Sequence, residues 1–425
     1  MQEQQKNDES FETVLSVCKK AKEASYALLN LTEEKKNRVL HAAADALIGH
    51  KEEILAANQT DTAAARAAKM SEGLLDRLRL DEGRILDMAN GIRNVADLPD
   101  PVGRILEERH LPNGLCIVKK TTPIGVVGII YEARPNVTSD AFALTFKAGN
   151  ACVLKGGSAA LHTNTAIAKA LSEGLSSENV PEGTLSFLEE AGHAETEALV
   201  KMHDYVDVLI PRGGASLIRY VVEHANIPVL ETGTGNCHIF VDASADLDMA
   251  ERILINAKTQ RVGVCNACES LLIHRDILRT AVPRLSKALA EHGVEIYADE
   301  ACRAVCPALS AATEEDWGKE YLDYKISMKA VSDTEEAIRH INSYGTRHSE
   351  CIITEDKADA EAFLNGVDAA CVYVNASTRF TDGGQFGFGC EIGISTGRLH
   401  ARGPMGLDAL CTYKYLIRGN GQVRG

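Results

Sequence analysis

At 425 residues the chain is too long for one compact core, and two or three structural units are expected. Its 45% apolar and 25% charged residues are ordinary for a soluble globular protein. A net charge of −15 argues against nucleic acid and anionic membrane as partners, because both repel an acidic surface; a local basic pocket for a small anion stays allowed.

The N-terminus, "MQEQQKNDES", is polar and lacks the apolar core of a secretory signal. No uninterrupted apolar run approaches the length needed to cross a bilayer. The twelve cysteines, scattered from Cys18 to Cys411, show no framework-like spacing. Reduced thiols in the cytoplasm are therefore expected, most of them plain packing residues.

Residues 1 to about 95 read as helical. In "LTEEKKNRVLHAAADAL", Thr32 is placed as an N-cap, and Leu40, Ala43 and Leu47 share one face. Two prolines in "DLPDPVG" then stop any helix. Residues 105–122 read as two extended segments around "PNG", a hairpin turn signal at Asn113-Gly114. A lone hairpin is marginal, so it is expected to pack on another element or another subunit.

From Pro123 strands and helices alternate. "PIGVVGIIY", "NACVLK", "GTLSFLE", "YVDVLI" and "IPVLE" are strands, with helices through "TSDAFALTFKAG", "TNTAIAKALSEGL" and "SLIRYVVEH". After residue 258 the alternation resumes with "ESLLIH", "KISMKAV", "ECIIT" and "AACVYVN". This order implies an α/β fold with mostly parallel sheets covered on both faces. The tail from Arg379 is too long and glycine-dense for a plain connector and reads as functional or interfacial.

Two strand–glycine–helix turns suit anions. "LIPRGGASLIRYV" offers Gly213 and Gly214 before a helix N-terminus, and "VLKGGSAALHTN" places Lys155 at a strand's carboxyl end. Each is also compatible with an ordinary turn or a surface lysine. "ETGTGNCHIF" is not a dinucleotide fingerprint: Gly233 and Gly235 match two glycines, but a strand follows where a helix is required.

The stretch "TQRVGVCNACESLLIH" holds Cys265 and Cys268 three residues apart. Three readings are open: zinc with the pair Cys302 and Cys306, a redox disulfide, or one nucleophile beside a bystander. The gap to "ACRAVC" is longer than usual zinc-ribbon spacing, and a redox pair should open a helix rather than a strand. Cys265 lies in a small-residue context four residues after Arg261, and a nearby cation favours the attacking thiolate.

Together, "PIGVVGII", "KAGNACVLKGGSAA", "YEARPNVTSDAFAL", "LIPRGGASLI", "VCNACESLL" and "LHARGPMGLDALCTYKY" resemble the aldehyde dehydrogenase superfamily, specifically its acyl-phosphate-reducing branch. The resemblance runs from about residue 12 to the end. It implies two parallel-sheet α/β domains plus a small oligomerisation element. Residues 1–104 and 123–258 would form the NADP-binding domain and 259–378 the catalytic domain. Residues 105–122 and 395–425 would form the β-hairpin/C-terminal element. The implied reaction is NADPH-dependent reduction of L-glutamyl 5-phosphate to L-glutamate 5-semialdehyde and phosphate, in proline biosynthesis.

By the same resemblance Cys265 is the nucleophile and Asn136 an oxyanion donor. Lys155, Gly157, Ser158, Gly213, Gly214 and Glu320 bind NADPH. Apart from the resemblance, Arg134, Arg212 and Arg261 are candidates to supply positive charge for the substrate phosphate and carboxylate. Glu231 matches the hydrolytic base of aldehyde oxidisers, a role a reductase does not want; a structural carboxylate is the alternative. No metal is expected. The expected partners are the small-molecule substrate and further copies in a homodimer or higher homo-oligomer, with a glutamate kinase as a candidate protein partner. Rival readings are an aldehyde oxidiser and a zinc or redox-sensing protein built on Cys265 and Cys268.

Overall fold

The computed structural model describes residues 2–132, 134–190 and 192–424. By packing, the chain divides into two units. Met1–Glu231, Gly387–Gly393 and Met405–Gly425 form the first; Thr232–Phe386 and Ile394–Pro404 form the second.

The first unit begins with helices α1 (Gln2–Leu28), α2 (Glu33–Gly49), α3 (Lys51–Ala67), α4 (Glu72–Leu78) and α5 (Glu82–Asp97). Thr32 caps α2 as expected, its side chain accepting from the Lys35 N–H, and Leu40, Ala43 and Leu47 are buried. Strands β1 (Ile105–His110) and β2 (Cys116–Pro123) form the expected antiparallel hairpin. Gly114 in the turn has φ of +87°, a value that favours glycine. The hairpin's partner is the chain's last strand, β16 (Cys411–Arg418), which pairs with β2 along its whole length.

The same unit holds a parallel sheet. Its elements are β3 (Val126–Tyr131), α6 (Asn136–Lys147), β4 (Ala151–Lys155), α7 (Leu161–Ser177), β5 (Leu185–Phe187), α8 (Ala194–Leu199), β6 (Val208–Arg212) and α9 (Ala215–His224). The strand order is β5-β4-β3-β6. Every residue of β3 is buried, as a strand covered on both faces requires. The order reverses between β3 and β6, and such a reversal opens a crevice at the strands' carboxyl ends. "IPVLE" does not become a strand; it contributes one bridge, Leu209 to Val229, beside Pro228, which has no N–H to extend a ladder.

The second unit is a seven-stranded parallel sheet. Its elements are β7 (Cys237–Val241), α10 (Leu247–Thr259), β8 (Cys268–His274), α11 (Leu278–Glu291), β9 (Glu295–Ala298), α12 (Glu300–Val305), β10 (Ser310–Ala311), β11 (Lys325–Val331), α13 (Thr334–Tyr344), β12 (Ser349–Ile353), α14 (Lys357–Gly366) and β13 (Cys371–Val374). The order is β10-β9-β11-β8-β7-β12-β13. Leu271 packs into one core with Leu254, Leu285 and Met328, and its neighbour Leu272 into another with Phe240, Ile352 and Phe363. Adjacent residues of one strand thus feed two cores, one on each face. The short pair β14 (Ile394–Ser395) and β15 (Gly403–Pro404) completes this unit.

The units break between Glu231 and Thr232, earlier than the boundary expected after residue 258. The cause is β7, which pairs with β8 and β12 rather than with the first sheet. The C-terminal stretch is also shared: Ile394–Pro404 packs with the second unit and Met405–Gly425 with the first.

Candidate active site

In the first unit the expected binding residues gather at one edge of the parallel sheet. Ile130 stands beside Lys155 and Tyr131 beside Arg212 in register, so all three strands end together. Lys155 is buried: its Nζ donates to the carbonyls of Gly156 and Glu190 at 3.1 Å each. It also lies 3.5 Å from Glu195 Oε2. Burial lowers its pKa, and Glu195 works against that shift. Gly157 precedes a single helical turn, Ser158–Ala160, whose first residue is exposed.

The N-terminus of α9 already holds an anion. Glu132 Oε2 accepts the Gly214 N–H at 3.0 Å. A side chain at Gly213 would put its Cβ 2.7 Å from the Glu132 carboxyl carbon. The expected phosphate cradle is thus occupied by the chain's own carboxylate, a residue the sequence reading missed. Arg134 and Asn136 follow β3 and are exposed. Asn136 opens α6 and donates from Nδ2 to Asp140 Oδ2 at 2.9 Å. Burial pushes the Asp140 carboxyl up to about 6, while Asn136 and the Arg212 guanidinium pull it down.

In the second unit Cys265 lies half-buried in the loop joining α10 to β8. Three contacts hold that loop. At its base Lys258 Nζ donates to Glu269 Oε2 at 2.6 Å, both side chains fully buried. Beneath the cysteine, the Cys237 thiol donates to the Cys265 carbonyl at 3.2 Å. Gly235 presses on the same carbonyl: a Cβ there would sit 1.4 Å from the Cys265 oxygen. The Gly235 N–H in turn donates to Glu320 Oε1 at 2.6 Å. Glycine is required by this close approach, not by a cofactor pyrophosphate. Burial raises the Glu320 pKa and the Gly235 N–H lowers it.

Arg379 ties both ends of the same loop. Its Nε donates to Gln260 Oε1 at 2.9 Å, and its Nη1 donates to Asn266 Oδ1. Asn266 is pinned further: its Nδ2 donates to the Thr381 carbonyl at 2.9 Å, and the Asn266 carbonyl accepts from Thr378 Oγ1 at 2.8 Å. Burial lowers the Arg379 pKa, Arg261 adds to this, and Cys265 opposes it. The Arg379 guanidinium is thus electrostatically coupled to the cysteine. Arg379 also lines a cleft of about 220 Å³ with Asn256, Gln260, Phe380, Asp382 and Gln385. The sequence signal was present, since Arg379 opens the glycine-dense tail, but its partners were not readable. Cys268 is the first residue of β8, fully buried, and burial pushes its thiol pKa far up.

A model of the aldehyde dehydrogenase family matches residues 5–317. The γ-glutamyl phosphate reductase of Agathobacter rectalis is 54% identical over 411 residues, 96% of this chain and 98% of that protein. The crystal structure of γ-glutamyl phosphate reductase from Thermotoga maritima superposes with a TM-score of 0.96 at 47% identity, covering 97% of this chain and 100% of the other. An acetylating aldehyde dehydrogenase from Geobacillus thermoglucosidasius shares the fold, with a TM-score of 0.69 at 19% identity over 99% of both chains.

Proposed function

We propose that this chain, which belongs to the aldehyde dehydrogenase family, reduces L-glutamyl 5-phosphate to L-glutamate 5-semialdehyde and phosphate with NADPH, a step of L-proline biosynthesis. The activity named for its relatives supports this. The observation that carries it is the half-buried Cys265, its carbonyl pressed by Gly235 and its loop tied at both ends by Arg379.

The unit with the four-stranded sheet is read as cofactor-binding and the unit with Cys265 as catalytic. Lys155, Gly157, Ser158, Gly213, Gly214 and Glu320 would hold NADPH. Ser158 is an exposed hydroxyl at a helical start and Glu320 a half-buried carboxylate suited to a sugar hydroxyl, which supports this reading; at Gly213 and Gly214 a cofactor phosphate would have to take the place of the Glu132 carboxylate that now accepts the Gly214 N–H. When bound, NADPH supplies the hydride for the reduction.

The chain's own residues do the rest. The Cys265 thiolate attacks the acyl carbon, the bond to the phosphate oxygen breaks, and phosphate leaves. Arg379 and Arg261 favour the thiolate and, with Arg134 and Arg212, supply the positive charge that phosphate and carboxylate need. Asn136 is read as an oxyanion donor; Asp140 accepts one amide hydrogen and fixes the amide. After reduction the thiohemiacetal collapses, the carbon–sulfur bond breaks, and the thiolate is restored. Glu231 is given no proton-transfer role, because water activation would waste the thioester.

The β1–β2–β16 sheet is read as the self-association element of a homo-oligomer. Ile105, Tyr413, Tyr415 and Ile417 are exposed on it, more apolar surface than a solvated sheet needs. The acyl phosphate must come from a kinase acting on the glutamate side-chain carboxylate, which makes a glutamate kinase the natural neighbour. The chain is read as cytoplasmic; among the described residues no helix is long and apolar enough to cross a membrane. Single substitutions test the nucleophile: Cys265→Ser abolishes turnover and Cys268→Ser leaves most of it. Equal loss from both would overturn the assignment.

A further inference from the structure

Three side chains on the β1–β2 hairpin converge on one point, far in sequence from Cys265. Glu108 and His110 are two apart on β1 and share a face, and Cys116 stands directly opposite His110 in the antiparallel register. Glu108 Oε1 lies 2.9 Å from His110 Nε2 and 3.9 Å from Cys116 Sγ. All three ligand atoms lie within 4.8 Å of one another. A tetrahedral zinc ion with bonds of about 2.0–2.3 Å holds its ligands roughly 3.3–3.8 Å apart. Small side-chain rotations bring these atoms to that spacing.

We propose that this face of the hairpin binds zinc through the Glu108 carboxylate, the His110 imidazole and the Cys116 thiolate, leaving a fourth position open. The donor set selects the metal: a thiolate and an imidazole suit zinc, whereas magnesium and calcium want oxygen alone. The expectation of no metal was drawn from the spacing of Cys265 and Cys268; this group is held together by strand register instead.

The site is built on fixed backbone. The tight turn closes the hairpin at one end, and β16 pairs with β2 on its other side. Two ligands ride on one strand and the third on its partner, so little ordering is left for the metal to impose. A His–Glu hydrogen bond alone would not call for a cysteine across the strand. Arg418 of β16 stands opposite Cys116 in register and, being exposed, can swing clear of an ion.

The test is a cobalt(II) titration of the full chain in its native oligomeric state, followed by zinc displacement. Cobalt reports thiolate ligation through an intense charge-transfer absorption. The wild type is expected to take one cobalt per chain with that absorption, and zinc to abolish it. Cys116→Ser removes the absorption, His110→Ala weakens binding by roughly tenfold or more, and Cys265→Ser changes neither. If Cys116→Ser fails to fold, His110→Ala and Glu108→Gln, at exposed positions, carry the test. No thiolate absorption in the wild type, or one that survives Cys116→Ser or disappears in Cys265→Ser, overturns the proposal.

Discussion

Lys258 and Glu269 form an ion pair, 2.6 Å between Nζ and Oε2, that closes the base of the loop carrying Cys265. Lys258 is at the end of α10 and Glu269 near the start of β8, and neither is exposed to water. Glu269 also accepts the Leu322 N–H at 3.2 Å through its other oxygen. Burial pushes the Glu269 pKa up, and the Lys258 ammonium pulls it back. Breaking such a pair strands one charge in a dry interior. Glu269→Gln is therefore expected to destabilise the chain by about 3–5 kcal/mol. The double variant Lys258→Met, Glu269→Leu should recover most of that loss. Urea unfolding of the three chains decides it; equal stability of the single variant and the wild type would contradict the pair's role.

Gly235 is the steric partner of the nucleophile's backbone. Gly235→Ala places a methyl where the Cys265 carbonyl oxygen now sits, so the loop must move. A shift of about 1 Å at a reacting group costs on the order of 10²-fold in kcat. The expected outcome is that loss in steady-state kinetics with a far-ultraviolet circular dichroism spectrum unchanged. Unaltered kcat would show that the loop tolerates displacement.

His340 and His348 are buried, and burial pushes their pKa values down to about 3 and about 4. His340 sits among Trp317, Tyr344 and His238, with Lys329 adding to the depression. An unfolded histidine titrates near 6.5. Below that pH the unfolded chain binds protons that the folded chain refuses. The stability tied to neutral imidazoles is therefore full above pH 6.5 and drains as pH falls, at about 1.4 kcal/mol per pH unit for each group. His340→Phe removes one such slope. Between about pH 5.5 and 4 the variant should gain on the wild type by about 1.4 kcal/mol per unit in urea unfolding; parallel pH curves would refute the assignment.

Much of this architecture was readable locally. The all-apolar run of β3, the Thr32 cap and the Asn113-Gly114 turn each carry their own signal within a few residues. What failed was pairing at a distance. Nothing in "CHIFVD" says which sheet it joins, so β7 was expected in the first unit, and only its neighbours β8 and β12 reveal otherwise. An anion at the α9 N-terminus was foreseen as a feature of the turn, but the carboxylate that accepts there, Glu132, is 82 residues away. Arg379 reaches Asn266 across 113 residues, and no local spacing encodes that contact. The Glu108, His110 and Cys116 group became visible only with the strand register.

The central claim is that the acyl group is passed between phosphate and Cys265. It is tested most directly by NADP⁺ reduction with L-glutamate 5-semialdehyde, measured as a function of phosphate concentration. A thioester that only phosphate can discharge predicts a rate that saturates with phosphate or arsenate and falls to background without either. An equal rate in phosphate-free buffer would mean that water cleaves the thioester, and that the protein oxidises an aldehyde to an acid.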